Sequence, residues 1–491
     1  MKLVKSVALF LLVASAVMAQ TGTRLVGFTA QSMGRGGASI GTFDSNELMM
    51  TNPAGISFLN NSSLDVNLSL MFPSLHFKNN LNDANGDKNV FPLPAVSYVH
   101  NCGSSDFTWG VGFFTAGGMG ADYKLKHALY GTALQEYHSK LASMQGGLTF
   151  AYKFDKNLSV GASLHLVYSM LEFSMPFALN PLAMQGIAMP GMTFGQMFAA
   201  PPAMGGFGYD EVTAAAKMNN LTAVGFNGKI GFAYKVNEKF SLGLSYTMPT
   251  SLTYSGGKAT MDMTAQLNDA FGKAMMGWMM QNPGKTQQDA QAAIMAQFTA
   301  LGIDMSKGVI ANYDLDVDLK FPQSIGFGAS YEAANNLKLS ADIEWINWEN
   351  AFDKMTLKLK SGNNANINKM MGNTGTFNID FPMNWKNSIL VKLGGELKLN
   401  KAFTARLGYA YGGNPVPEST VFPIFPAIVE NHITAGLSVK ASDSITLNAA
   451  FEMALNKSLK ASNPSVISNE FDGSTSELST TLIHFSFNYA F

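Results

Sequence analysis

An all-β fold, a transmembrane antiparallel β-barrel of about 14 strands, is predicted by three features of this 491-residue sequence. Charge is scarce: 14% of residues are charged and 47% hydrophobic, yet no apolar run after the first 20 residues is long enough for a membrane helix. Many short runs alternate apolar and polar residues with a period of two, the mark of a strand with one apolar face. The connections between those runs alternate between very short and long, as hairpin turns and surface loops do in a barrel.

The N-terminus, "MKLVKSVALFLLVASAVMAQ", has Lys2 and Lys5, an apolar run from Val7 to Val13, and small residues at Ala14, Ser15, Ala16 and Ala19. That order reads as a secretory signal peptide, residues 1–19, cut after Ala19. A membrane-anchoring helix would need about 20 apolar residues, which this run lacks. Cys102 is the sole cysteine, so no intrachain disulfide staples the exported chain. With 33 Lys+Arg against 34 Asp+Glu and no basic run, nucleic acid is excluded as a partner.

Residues 20–62 follow, with Gly34, Gly36, Gly37 and Gly41, an acidic pair Asp44 and Glu47, and no strand alternation. A compact, small-residue-rich segment ahead of the first strand is expected to fold back into the lumen as a hatch. In "MMTNPAGISFL" a helical turn is broken by Asn52-Pro53-Ala54-Gly55. Pro53 fixes its own φ and lacks an amide hydrogen, and Gly55 is expected to use backbone angles that other residues avoid.

The barrel proper is placed at residues 63–491. Alternation is clearest in "LSVGASLHLVY", "KIGFAYKV", "FTARLGYAY", "ITLNAAFEMAL" and the terminal "TLIHFSFNYAF". Polar turns in "HNCGSSDF", "KFDKNLSV", "KVNEKFSL", "EAANNLKL", "KLNKAFTA" and "KASDSITL" close hairpins. Long loops are expected near residues 78–90, 117–141, 174–221, 255–320, 351–384, 414–428 and 459–479. Seven long loops alternating with six short turns give about 14 strands with both chain ends on the short-turn side, the even count that bacterial barrels require. Strand interiors are expected to be free of proline, because each backbone group must be paired in lipid.

Within the fourth long loop, residues 264–281 place Leu267, Phe271, Met275, Trp278 and Met279 at helical spacing. Asn282-Pro283-Gly284 then breaks the pattern, and a second helix carries Ala290, Ile294, Phe298 and Leu301. Phe271, Met275 and Trp278 are candidates for ligand contact, since methionine and aromatic surfaces adapt to varied apolar chains; the same helices equally serve to cap the barrel. Strand parity turns Arg406, Lys392 and Lys229 into the lumen with Asp342, Glu344, Glu452, His165 and His432. Arg406 and Lys392 are candidates for a charge-assisted bond to a carboxylate head group, or else pair with lumenal acids and the hatch. No nucleophile elbow, His-Glu-x-x-His or cysteine cluster is present, so neither an enzyme nor a metal or cofactor site is expected.

The stretch "SMGRGGASIGTFDSNELMMTNPAGI" resembles the N-terminal signature of the FadL family of outer-membrane long-chain fatty acid transporters, with its Gly-Arg, its acidic middle and its Asn-Pro-Ala. "FTWGVGFFTAGG", "GNPVPESTVFP" and the closing "FNYAF" resemble family segments in the same order, and the likeness covers nearly the whole mature chain. It implies a 14-stranded barrel plugged by a hatch. Ligand is captured at an extracellular groove, passes to a lumenal pocket beside the hatch N-terminus, and leaves sideways through a gap at a kinked third strand.

On that resemblance Arg24, Leu25, Val26 and Phe28 contact ligand, while Asn52, Pro53 and Ala54 join Thr115, Gly117 and Gly118 in a gate. Gly117-Gly118 either bends the strand or begins the loop after it. The implied partners are a long-chain fatty acid or other lipophilic small molecule, outer-membrane lipids, and the barrel assembly machinery, whose signal the terminal Phe491 resembles. The chain is expected to be a monomer. A general porin, a surface-structural barrel, a lipase and an adhesin are the rival readings; a lipase needs a Ser/His/acid set at the rim, and a porin an open lumen.

Overall fold

The computed structural model describes residues 22–103, 106–372 and 374–491, so the expected signal peptide lies outside the described residues. Fourteen staves run in chain order around one antiparallel sheet. They are β1 (Ser63–Lys78), β2 (Phe91–Asn101), β3 (Phe107–Lys126), β4 (Leu134–Lys153), β5 (Leu158–Leu179), β6 (Val212–Lys235), β7 (Phe240–Thr247 with Thr250–Asp262) and β8 (Ile310–Phe321 with Ser324–Ala334). There follow β9 (Leu337–Ile346 with Lys354–Lys360), β10 (Phe377–Pro382 with Ser388–Lys398), β11 (Phe403–Gly412), β12 (Asn431–Lys440), β13 (Ile445–Lys460) and β14 (Thr475–Ala490). Ser63 of β1 lies opposite both Val99 of β2 and Ala490 of β14, which closes the barrel and leaves no free edge at the seam.

The period-two pattern sorts side chains as the sequence predicts. On β14 Phe485 is 50% exposed and its neighbour His484 3%, so the rings face lipid and the polar groups face the lumen. Phe491 stacks on Tyr98 with ring centroids 5.9 Å apart, and its amide donates to the Ser62 carbonyl (3.0 Å), tying the chain end to the base of β1.

Two expectations are corrected, and four strands carry breaks on which the alternation is silent. Strands run further into the extracellular space than expected, and the second long loop shrinks to residues 127–133 because β3 and β4 pair up to Lys126 opposite Leu134. β7 to β10 are each interrupted, and residues 347–353 and 383–387 turn inward at the breaks in β9 and β10. Proline does occur inside strands, at Pro73, Pro92, Pro94 and Pro176.

The prolines of β2 have a physical reason. The β2–β3 ladder ends at Ala95 opposite Phe114, and the β1–β2 ladder at Met71 opposite Phe91. Thr115 donates its hydroxyl to the Pro94 carbonyl (3.0 Å), so that edge of Pro94, and of Pro92 two residues away, faces the β3 side where the ladder has stopped. Their missing amide hydrogens cost nothing there, as on any strand edge.

The helices Thr264–Gln281 and Gln287–Ala300 form as expected. Thr286 caps the second through a reciprocal pair with Asp289.

Candidate functional site

The hatch enters the lumen from the base of β1. Its chain makes one short helix at Ala30–Met33, capped by the Thr29 hydroxyl, another at Leu48–Thr51, and a tight helical turn at Pro53–Phe58. Glu47 gathers the first of these, accepting from the Ser32 hydroxyl (2.5 Å), the Thr29 hydroxyl (2.9 Å) and the Phe28 amide (3.3 Å).

At its centre the fully buried Arg35 grips Asp44 with two bonds of 2.9 and 2.7 Å, donates to the Ala38 carbonyl (2.8 Å), and lies 3.6 Å from Glu396 of the wall. Burial pushes the Asp44 carboxyl up, but Arg35 and Lys338 outweigh it and hold it well below the usual carboxylate range. Arg406 completes the cluster, donating to Glu396 (2.6 Å) and to the Ser438 hydroxyl. Its charge is met by the wall acid Glu396, which also lies 3.6 Å from Arg35 of the hatch, in line with the pairing alternative and not the head-group one. Lys392 is buried opposite Asp342 in the β9–β10 ladder, and Asp342 accepts from the hatch amides of Ser39 (2.7 Å) and Ile40 (3.0 Å).

Around this cluster the wall offers glycines where the hatch backbone presses closest. A Cβ on Gly408 would sit 2.0 Å from the Gly36 amide, on Gly394 2.3 Å from the Arg35 carbonyl, on Gly243 2.0 Å from the Ile40 carbonyl, and on Gly231 2.1 Å from Asn52 Oδ1. Asn52 also donates to the carbonyls of Ile40 (2.8 Å) and Phe232 (3.0 Å), and Ala54 is wholly buried against Gly161. Asn52, Pro53 and Ala54 are thus anchors on the β5–β7 wall. Gly55 has no left-handed backbone; its missing side chain admits Leu48 and Phe43, which a Cβ would meet at 2.7 and 2.8 Å.

The hatch N-terminus is held differently. β3 bulges between Thr115 and Gly117, and Gly117 adopts φ +155, so the glycines bend a strand that continues to Lys126 and do not begin a loop. Thr23 seats its carbonyl on this bulge, accepting from the Gly118 amide (2.9 Å), and Arg24 bridges to Gly117. A Cβ on Gly117 would lie 2.0 Å from the Thr23 carbonyl. Arg24 reaches back across the lumen to Glu344 of β9 (2.8 Å).

Leu25 and Phe28 face Pro94, Leu93 and Thr115 across a cavity of about 10 Å³, with Phe28 edge-on to Phe114 at 6.0 Å. Val26 turns into the hatch core. Thr115, Gly117 and Gly118 therefore meet the hatch tip at the level where β2 and β3 part. Above the parting the wall closes again, with the Asp87 amide donating to the Asp122 carbonyl (2.8 Å).

A second cavity, of about 50 Å³, lies under the tip between Arg24, Lys229, Asn227, Ser143 and Gln145, with the Lys229 ammonium donating to Thr247 (2.8 Å).

Sequence reasoning missed two aromatic groups. The inward turns of β9 and β10 stack Trp348, Phe352 and Trp385 with centroids 4.5 to 5.3 Å apart, and Gly22 rests on Trp348 at a distance a Cβ would reduce to 2.4 Å. Higher up, residues 413–430 fold into the lumen. Phe422 and Phe425 from that segment meet Phe173, Phe381 and Phe471, all buried. The signal available was the density of apolar residues in "STVFPIFPAIV", too rich for a loop bathed in water.

Outside, the helix pair and residues 180–211 enclose an apolar groove of about 760 Å³. Trp278 lines it, beside Met276, Met280 and Phe207. Phe271 and Met275 do not; they share Trp278's stripe and, like it, pack against the core, with Phe271 meeting Phe298 at 5.8 Å, so of the three only Trp278 borders the groove.

Comparison with known proteins places these features in context. The family model described as outer membrane protein transport protein (OMPP1/FadL/TodX) matches residues 10–491. Among solved structures, the toluene transporter TodX of P. putida superposes with a TM-score of 0.66 at 18% identity, covering 95% of this chain and 99% of that one. A FadL homologue of Pseudomonas aeruginosa gives 0.67 at 17%, covering 97% and 100%. The toluene transporter TbuX of Ralstonia pickettii gives 0.62 at 18%, covering 95% and 98%. A search of curated proteins finds no match.

Proposed function

The chain belongs to the OMPP1/FadL/TodX family of outer-membrane transport proteins, and from that membership we propose that it is a passive outer-membrane channel for hydrophobic compounds that releases its ligand sideways. The observation that carries this reading is the meeting of the Thr23 carbonyl with the Gly118 amide at the level where the β2–β3 ladder ends. Ligand enters the groove beside Trp278, descends to the lumen around Arg24, Leu25 and Phe28, and displaces that tip from the Gly117 bulge. The wall between Pro94 and Thr115 then opens to lipid. The lower hatch, including Asn52, Pro53 and Ala54, stays docked throughout, so a ligand need shift the equilibrium of only a few residues.

The cavity holding Arg24 and Lys229 favours a ligand with an anionic head, so a long-chain fatty acid is the first choice of cargo. Relatives of similar fold are toluene transporters, which makes a monoaromatic hydrocarbon the alternative. Lys229→Met should reduce fatty acid uptake and spare toluene uptake; equal loss of both would remove the head-group assignment.

The gate is tested by Phe28→Cys with Phe114→Cys in a Cys102→Ser background. The oxidised protein should bind a lipophilic probe at the cell surface but not pass it, and reduction should restore passage. Transport by the oxidised form at the reduced rate would sink lateral release through this gap.

A further inference from the structure

We propose that the inward-folded segment 413–430 is a second seal, an aromatic gate that admits the apolar part of a solute and excludes ions and water-soluble molecules. The inference rests on the transport reading above and adds a selectivity element to it. In the sequence this is the "GNPVPESTVFP" stretch and the residues after it, which no step of uptake described so far employs.

The geometry points to a seal. Phe425 stacks on Phe173 of β5 at 5.7 Å with planes 14° apart, and Phe422 reaches Phe381 of β10 at 5.4 Å and Phe471 of the last extracellular loop at 5.9 Å. Phe471 in turn contacts Phe77 of β1 at 6.1 Å. Contacts thus run from β5 through the segment to β10 and β1, spanning the lumen, and each of these rings is at most 3% exposed. Trp278 and the outer groove lie on the extracellular side, while Ser143 and the cavity under the hatch tip lie further down β4 than Ser139, whose hydroxyl donates to the Ile424 carbonyl.

How the segment is held indicates that its rings can yield. Polar tethers fix its backbone: the Lys386 amide donates to the Pro415 carbonyl (2.8 Å), the Ser462 amide to the Glu418 carbonyl (2.9 Å), the Thr420 hydroxyl to the Met383 carbonyl (2.6 Å), the Ser139 hydroxyl to the Ile424 carbonyl, and Lys457 pairs with Glu430 (2.7 Å). The rings of Phe422 and Phe425 are held by dispersion and exclusion of water. An alkyl chain or a benzene ring that enters between them replaces one apolar neighbour by another, so the rings keep their burial. A hydrated ion has no such substitute and would lose its hydration.

The test uses the whole protein in lipid nanodiscs, with Ser143→Cys as a reporter below the block in a Cys102→Ser background. The probes are a quaternary-ammonium methanethiosulfonate and N-phenylmaleimide. With the block intact the cationic reagent should label slowly. Phe422→Ala with Phe425→Ala should raise its rate about tenfold or more, since a charge crosses an apolar barrier only by giving up its water. The neutral aromatic reagent should change much less.

Phe422→Leu with Phe425→Leu keeps an apolar fill and should stay slow to the cation, which serves if the alanine pair fails to give a heat-modifiable barrel. Equal cation labelling of all forms would overturn the seal. Uptake of a lipophilic probe by the Cys102→Ser protein, with Ser143 intact, is measured alongside: its absence would count against the transport reading, whatever the labelling rates.

Discussion

The two ends of the lumen are closed by unlike chemistry. At the periplasmic end the hatch meets the wall through hydrogen bonds, the Arg35–Asp44–Glu396–Arg406 cluster, and backbone laid against glycine. At the extracellular end the 413–430 segment has its backbone tethered but fills the lumen with phenyl rings that have only apolar neighbours to hold them. Directional contacts have one good geometry and are lost as a set, whereas dispersion accepts one apolar neighbour for another. A polar closure can therefore be either docked or undocked, and an aromatic closure can part around a guest. The difference assigns switching to the hatch and sieving to the block.

The contrast breaks most sharply at Arg35. Replacing it by Ala leaves Asp44 and Glu396 short of a buried cation, at a cost of about 3–5 kcal/mol, most of it in hatch docking. The expected result is a barrel that remains heat-modifiable while residues 22–62 lose protection from protease. Retained protection would show that glycine contacts alone hold the hatch. Because the folded Asp44 carboxyl lies below its usual range, its contribution is present at neutral pH and disappears only as pH falls through the folded value. Hatch protection should accordingly survive mild acid.

Gly408→Ala tests the same closure with less force. The new methyl would sit 2.0 Å from the Gly36 amide, so the hatch must shift or the wall must bend, at about 1–3 kcal/mol. Ala at Gly395, where the nearest atom is 3.9 Å away, should be nearly silent by the same protease assay. Equal sensitivity at both would deny the glycines any role in docking.

At the other end the sharpest titratable group is Glu470. Burial first, then Glu211, pushes its carboxyl up to about 8 even though the Tyr137 hydroxyl donates to it (2.5 Å). A raised folded value means that its favourable contribution is complete below the ordinary carboxylate range and fades as pH rises toward 8. Hydrogen exchange in residues 461–474 should therefore increase, beyond its intrinsic pH dependence, as pH rises from the ordinary carboxylate range to about 8, and level off above it. Glu470→Gln should remove that excess. Exchange in the hatch should not follow it, and if both ends loosen together the two closures are coupled.

The same division explains what the sequence disclosed. Strand count, closing turns, the helix pair and the lumenal hatch were legible because period two, turn residues and period 3.6 are local signals carried by residues such as Phe485, Asn400 and Ile294. The glycine pair at Gly117 was visible, but whether it bends the strand or begins a loop stayed open, because the pairing that carries β3 on to Lys126 is tertiary. The inward fold of 413–430 was not, since alternation assigns faces to strands and says nothing of where a loop goes. Pro92 and Pro94 contradicted a rule about strand interiors because β2 is an edge strand over that stretch, and edges are set by tertiary structure. The role of Arg406 was hidden for a related reason: parity turned it inward, but its partner Glu396 is met only across the β10–β11 ladder.

The smallest expected effect separates two neighbours on one helix. Trp278 lines the outer groove, while Phe271, on the same helix, packs against Phe298. Trp278→Ala should weaken surface binding of a fluorescent hydrophobic probe by roughly the 0.5–1.5 kcal/mol that an aromatic contact contributes beyond its area. Phe271→Ala should instead lower the protection of the helix pair, with probe affinity changing only as far as the groove loses its shape. Capture that responds to Trp278 and not to helix stability means that the groove binds through its lining. If Phe271→Ala weakens binding as much as Trp278→Ala while the helices stay protected, the lining of the groove has been assigned wrongly along the helix, and capture belongs nearer the lumen, where the aromatic block would meet the ligand first.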